Sequence, residues 1–277
     1  MDVVRSIADV RGRVLAWRAG GERVSLVPTM GALHAGHLSL VRRATSDASR
    51  TVASIFVNPT QFAPNEDFAT YPRDEARDLE MLENAGVDLV FAPPVEEIYP
   101  DGHRTQVEVR ELGKILEGEF RPHFFIGVAT VVTKLFNQVC PTSAVFGEKD
   151  YQQLCIIRTF VRDLDIPVEV IGGQTIREQD GLAMSSRNAY LTPEQRAIAP
   201  SLFAAMSACA EKVADGADPE KTAAEASQAI TDAGFDSVDY VAVRDAETLD
   251  APQPERSMRV LVAARIGRTR LIDNMAV

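Results

Sequence analysis

The 277-residue chain has little cysteine, a single tryptophan and a shortage of positive charge, with 29 Lys and Arg against 40 Asp and Glu for a formal net charge of −11. Each shortage excludes something. Cys140, Cys155 and Cys209 are odd in number, without CxxC spacing or a neighbouring histidine. They suggest neither a disulfide framework nor a zinc site, and buried free thiols in a reducing cytoplasm are expected. The acidic balance offers no long-range attraction to a polyanion, which argues against nucleic acid as substrate or partner. Apolar runs such as Val52-Ala53-Ser54-Ile55-Phe56-Val57 fall far short of the roughly 20 residues that cross a bilayer, so no membrane span is expected. The opening Met1-Asp2-Val3-Val4-Arg5 lacks the basic stretch and apolar core of a secretory signal, so the expected location is the cytoplasm. What is present is ordinary for a packed protein: 45% apolar and 25% charged residues, enough for one large domain or two modest ones.

From residue 23 to 171 short apolar runs alternate with longer helical periods, the pattern of βα units. Residues 24–27 read as a buried strand, followed by a helix from about Ala35, and 52–57 as a second strand. Residues 74–85 are acidic at the start, carry Leu79 and Leu82 on one side and stop at Gly86, as a capped helix does. A strand at 87–91, a helix through Val128, Val131, Val132, Leu135, Phe136 and Val139, a strand at 144–146, a helix from Asp150 and a strand at 168–171 complete the series. Beyond Gly172-Gly173 two Ala-rich helical stretches, 193–213 and 219–233, precede strands near 240–243, 260–263 and 270–272. The expected fold is α/β: a Rossmann-like parallel sheet with helices on both faces over residues 1–174, and a smaller α+β domain over 175–277.

The chemistry concentrates in Leu26-Val27-Pro28-Thr29-Met30-Gly31-Ala32-Leu33-His34-Ala35-Gly36-His37-Leu38, a strand, a glycine-containing turn and a helix with two histidines three apart. At about 100° per residue that spacing puts both imidazoles near one face, beside the positive helix end. Backbone amides and the dipole there attract phosphate, histidines donate to phosphate oxygens, and Gly36 leaves room for a nucleotide. Metal ligation by the pair would need a third ligand, and the motif holds none.

His34-Ala35-Gly36-His37 resembles the HxGH signature of the nucleotidylyltransferase superfamily. Its wider context, Pro28-Thr29-Met30-Gly31-x-Leu33-His34-x-Gly36-His37, is similar to that of the pantothenate synthetase (pantoate–beta-alanine ligase) family. The resemblance continues through Phe56-Val57-Asn58-Pro59-Thr60-Gln61-Phe62, Tyr71-Pro72-Arg73, Phe146-Gly147-Glu148-Lys149-Asp150-Tyr151-Gln152-Gln153-Leu154 and Asp180-Gly181-Leu182-Ala183-Met184-Ser185-Ser186-Arg187-Asn188, in the family's order. It implies an ATP-dependent condensation of (R)-pantoate with β-alanine in two steps. The pantoate carboxylate attacks the α-phosphorus of ATP to give pantoyl adenylate and pyrophosphate, and the amine of β-alanine then expels AMP.

By the same resemblance Met30, Gly31, Ala32, Leu33, His34, Ala35, Gly36 and His37 contact ATP, as do Gly147, Glu148, Lys149, Asp150, Ile176, Met184, Ser185, Ser186 and Arg187. Gln61 and Gln153 hold pantoate, Gln61 also meets β-alanine, and His34, His37, Lys149 and Arg187 form the catalytic set. The residue types fit these roles. Lys149 is a compact cation, Arg187 makes two-pronged phosphate contacts, and a protonated His37 would stabilise the pentacoordinate phosphorus. Asp150 is placed both to cap the following helix and to touch nucleotide. Mg2+ is expected with ATP, with no protein ligands legible; Asp74, Glu75 and Asp78 read as the solvated, dipole-favoured start of a helix. A homodimer is implied by resemblance, with the 52–57 strand region as a contact. Two other readings share the HxGH turn. An adenylyltransferase would not need both glutamine motifs, a class I aminoacyl-tRNA synthetase would need tRNA, which a net charge of −11 does not favour, and a non-catalytic nucleotide-binding module would not need Lys149, His37 and Arg187 together. One segment departs from the family's Arg-Pro-Gly-His-Phe-x-Gly-Val: here Arg121-Pro122-His123-Phe124-Phe125-Ile126-Gly127-Val128 puts Phe124 at the histidine position.

Overall fold

The computed structural model describes residues 1–63, 68–253 and 255–277. Parallel pairing runs through six strands: β1 (Asp2–Val4), β2 (Val24–Thr29), β3 (Arg50–Ile55), β4 (Leu89–Phe91), β5 (Ser143–Gly147) and β6 (Glu169–Gly173), in the order β1-β4-β3-β2-β5-β6. The helices between them are α1 (Ile7–Ala19), α2 (Ala35–Asp47), α3 (Glu75–Asn84), α4 (Val95–Ile98), α5 (Glu117–Phe120), α6 (Phe124–Val139) and α7 (Tyr151–Asp163). Strand side chains alternate between faces. Val27, Ala53, Val90, Val145 and Ile171 meet Leu40 and Val41 of α2 and Leu82 of α3 on one side. The intervening Leu26, Val52, Leu89 and Ala144 are equally buried, and there α1 lies against β2 and α6 against α1. The order reverses at β2, which pairs with β3 on one side and β5 on the other. In open parallel sheets that reversal opens a crevice beyond the carboxyl ends of the strands, where ligands bind.

The residues fall into two compact units, Met1–Gly147 with Ile156–Gly173, and Glu148–Cys155 with Gln174–Val277. The second unit therefore takes in a short segment that the βα alternation alone leaves in the first. It contains α8 (Pro193–Ile198), α9 (Ser201–Ala214), α10 (Pro219–Asp232) and an antiparallel sheet of β7 (Ser237–Asp245), β8 (Met258–Ile266) and β9 (Thr269–Ala276). The stretch Pro193–Ala214 is long and apolar enough to cross a membrane by length and composition, contrary to the reading from apolar runs. It divides at Ala199-Pro200 into α8 and α9, and Leu202, Met206, Cys209 and Val213 pack into this unit's core with Val260 and Val262 of β8. Strand β3 is interior, paired on both edges with Val52 and Ala53 wholly buried. The strand expected to contact a second subunit has no free edge to offer.

Candidate active site

The HxGH loop leaves β2 at the switch point and is pinned by Thr29 at its start and by Asp78 from α3. The Thr29 hydroxyl donates to the Ser54 carbonyl at 2.7 Å and accepts from Gly31 N at 3.2 Å. Gly31 and Ala32 then take left-handed backbone conformations, with φ of 80° and 53°, the second strained for a residue with a Cβ. Asp78 of α3 holds them there. Its Oδ2 accepts from Ala32 N and its Oδ1 from Leu33 N, each at 2.8 Å, and the side chain is 2% exposed. A Cβ on Gly31 would lie 2.8 Å from that carboxylate. The acidic helix start is thus divided. Asp74 caps α3 through Arg77 N, Glu75 pairs with Arg5, and Asp78, read from the sequence as part of a solvated face, is a buried loop clamp.

His34 is the N-cap of α2. Its Nδ1 accepts from Gly36 N at 3.1 Å, and His37 Nδ1 accepts from His34 N at 3.4 Å, a reciprocal cap that sets the ring centroids 4.1 Å apart. Imidazoles normally do not cap, and here the cap fixes chemistry. With Nδ1 accepting, each neutral ring carries its hydrogen on Nε2 and needs no second proton to donate to phosphate.

Gln61 closes a 3-10 turn, Pro59–Gln61, capped by Asn58. Asn58 is 1% exposed; its Nδ2 donates to Gln61 Oε1 at 2.8 Å and to the Gly127 carbonyl at 3.1 Å. Its Oδ1 accepts from the Tyr99 hydroxyl at 2.9 Å, and burial pushes that phenol's pKa up, keeping it a donor. With Gln61 Oε1 engaged, the amide is oriented to offer Nε2 as its donor. Close backbone approach makes this turn possible: a Cβ on Gly127 of α6 would stand 2.4 Å from the Thr60 carbonyl. The sequence places Asn58 inside the Gln61 motif, but nothing in the pattern marks it as the residue that orients Gln61.

Within the second unit, Glu148, Lys149 and Asp150 form a 3-10 turn that leads into α7. The Tyr151 hydroxyl anchors it to the Ala246 carbonyl at 2.8 Å, under an Arg259 guanidinium 3.7 Å above the ring. Ile176 and Met184 face each other across a hairpin, with Met184 N donating to the Ile176 carbonyl at 2.9 Å and the turn closing at Gly181, φ 90°. Ser185 accepts from Arg187 N at 3.2 Å and caps the turn Ser186–Tyr190, which leaves its hydroxyl hydrogen to donate to a ligand oxygen. Gln153, on the first turn of α7, is half-buried.

A model of the family described as pantoate-beta-alanine ligase matches residues 2–276. The chain belongs to the pantoate–beta-alanine ligase family. It is 57% identical over 278 residues to the pantothenate synthetase of Sphingopyxis alaskensis, covering all of both chains. Among solved structures it matches the pantothenate synthetase of Thermus thermophilus with a TM-score of 0.91 at 48% identity, covering 99% of each chain. It also matches the pantoate–beta-alanine ligase of Francisella tularensis, complexed with beta-gamma ATP and beta-alanine, with a TM-score of 0.84 at 34% identity over 100% of this chain and 97% of that one.

The first unit brings together Met30 to His37 on one loop and helix start, and the second brings Lys149 into one compact body with Ile176 and Met184 to Arg187. The segment that departs from the ligase pattern has a structural account. His123 is exposed at the N-cap of α6, whereas the Phe124 ring lies under the Arg121 guanidinium at 3.9 Å. Arg121 in turn pairs with buried Glu117 and donates to the Gln61 carbonyl at 3.2 Å. Phe124 therefore supports the Gln61 turn through a cation–π contact with Arg121. His123→Ala should leave kcat/KM for ATP and pantoate within about twofold, because the missing contact of roughly 0.5 to 1.5 kcal/mol is not supplied by His123. A loss of about a hundredfold in steady-state assays would show that His123 has taken over the role.

Proposed function

We propose that the family's reaction, ATP-dependent condensation of pantoate with β-alanine, runs on this chain through a pantoyl adenylate, with the HxGH loop, Lys149 and Arg187 as its phosphate-handling groups. The observation that carries the reading is the reciprocal His34–His37 cap at the sheet's switch point, which presents two Nε2 donors beside helix amides. The pantoate carboxylate is the nucleophile at the α-phosphorus, so the protein supplies no covalent group. Lys149 and Arg187 offset the charge that grows on the leaving pyrophosphate, and His37 donates to the phosphate undergoing attack. Gln61, oriented by Asn58, donates to pantoate and lies next to the incoming amine of β-alanine; Gln153 is the second pantoate contact. That amine attacks the acyl carbon, the acyl–phosphate bond breaks, and AMP leaves.

Mg2+ enters as the companion of ATP. It offsets phosphate charge during attack at the α-phosphorus. A cytoplasmic homodimer completes the proposal; three free cysteines support the compartment and the resemblance supports the dimer.

Incubation with ATP, Mg2+ and pantoate, with and without β-alanine, tests the reading. AMP and pyrophosphate should accumulate, with multiple turnovers of AMP only when both substrates are present. ADP as the sole nucleotide product contradicts it.

A further inference from the structure

Strand β9 alternates buried and part-exposed residues from Thr269 to Ile272 and then breaks the pattern, for Asp273 and Asn274 are each only 4% exposed. Consecutive strand residues face opposite sides, so two adjacent buried polar side chains need separate partners. Both find them in segments assigned above to ATP. Asn274 Nδ2 donates to the Glu148 carbonyl at 2.9 Å and the Lys149 carbonyl at 2.8 Å, while its Oδ1 accepts from Arg259 Nη1 at 2.7 Å. The amide orientation is unambiguous, since carbonyls only accept and a guanidinium only donates. Asp273 receives both terminal nitrogens of Arg177, which also donates to the Gly181 carbonyl and so ties down the hairpin carrying Ile176 and Met184.

We infer that Asn274 is a positioning residue for Lys149. By committing both amide hydrogens to consecutive carbonyls, it fixes two peptide planes of the 148–150 turn and with them the direction in which the Lys149 side chain leaves the backbone. The inference rests on Lys149 being the phosphate-handling cation, and the test separates the two. Asn274→Asp keeps the shape and the partner of Arg259 but turns a donor into an acceptor facing two carbonyls.

Single-turnover formation of pantoyl adenylate should fall about 10- to 100-fold in Asn274→Asp, the scale of a displacement of about 1 Å in a catalytic group. The second half-reaction, started from supplied pantoyl adenylate and β-alanine, should stay within about twofold because pyrophosphate has already left. In a Lys149→Ala background the same substitution should cost less than about threefold further, since residues acting through one another are not additive. Equal losses in both half-reactions, or a full multiplicative loss on top of Lys149→Ala, would overturn the inference. Adenylate formation unchanged in Lys149→Ala alone would overturn the assignment of Lys149, and the inference with it. If Asn274→Asp does not fold, Asn274→Ser takes its place in the same cycle, with the same outcomes supporting or overturning the inference.

Discussion

Lys149→Ala is expected to lower the rate of pantoyl adenylate formation about 10² to 10³-fold, roughly 3 to 4 kcal/mol, the usual cost of removing one preorganised contact to developing charge. The turn that carries Lys149 is held by Tyr151, Arg259 and Asn274, so the truncation removes the cation and leaves its support in place. Charge rises on the phosphates as pyrophosphate departs, so the loss should appear in the rate more than in pantoate binding. Single-turnover kinetics with saturating pantoate separate the two. A rate within about twofold of the unsubstituted enzyme would remove Lys149 from the catalytic set.

The second large effect belongs to Asp78. Asp78→Ala strips acceptors from the Ala32 and Leu33 amides, and each bond lost to a buried charged acceptor is worth about 1.5 to 3 kcal/mol. The loop they hold is strained at Ala32, so it should relax away from the conformation that presents His34 and His37. We expect KM for ATP to rise about tenfold or more. The melting temperature should fall as well, by about 2 to 4 °C for each kcal/mol lost. Asp78→Asn, of the same shape, keeps one accepting oxygen and loses the other, so its rise in KM should be smaller than that of Asp78→Ala but still present. Steady-state ATP titrations of both variants that stay within twofold would show that the loop keeps its geometry unaided.

Much of the scaffold is legible because its signals are local. Helix α2 begins at Ala35 where the strand, turn and histidine pattern places it, and α3 stops before a glycine with φ of 82°. The pair β1–α1 is not legible. Its strand has three residues, and only Val10 and Val14 of α1 are buried, too few to impose a period. Asp78 escapes a sequence reading because acidic residues at a helix start ordinarily face water and the dipole. The available signal is its spacing of four from Leu82, which is wholly buried and marks the core side of α3. Asp273 and Asn274 give no such sign, since the hairpin and turn they hold lie 96 to 126 residues away in sequence.

The most direct test of attack by a carboxylate at the α-phosphorus is to follow its oxygen. With pantoate labelled with 18O in both carboxylate positions, and with ATP, Mg2+ and β-alanine in ordinary water, mass spectrometry of the released AMP should find one 18O in every molecule formed, with none in pyrophosphate. The shift follows because the bridging oxygen of the adenylate comes from pantoate and leaves with phosphorus. Unlabelled AMP, or label recovered in pyrophosphate or in orthophosphate alongside ADP, would contradict the adenylate mechanism.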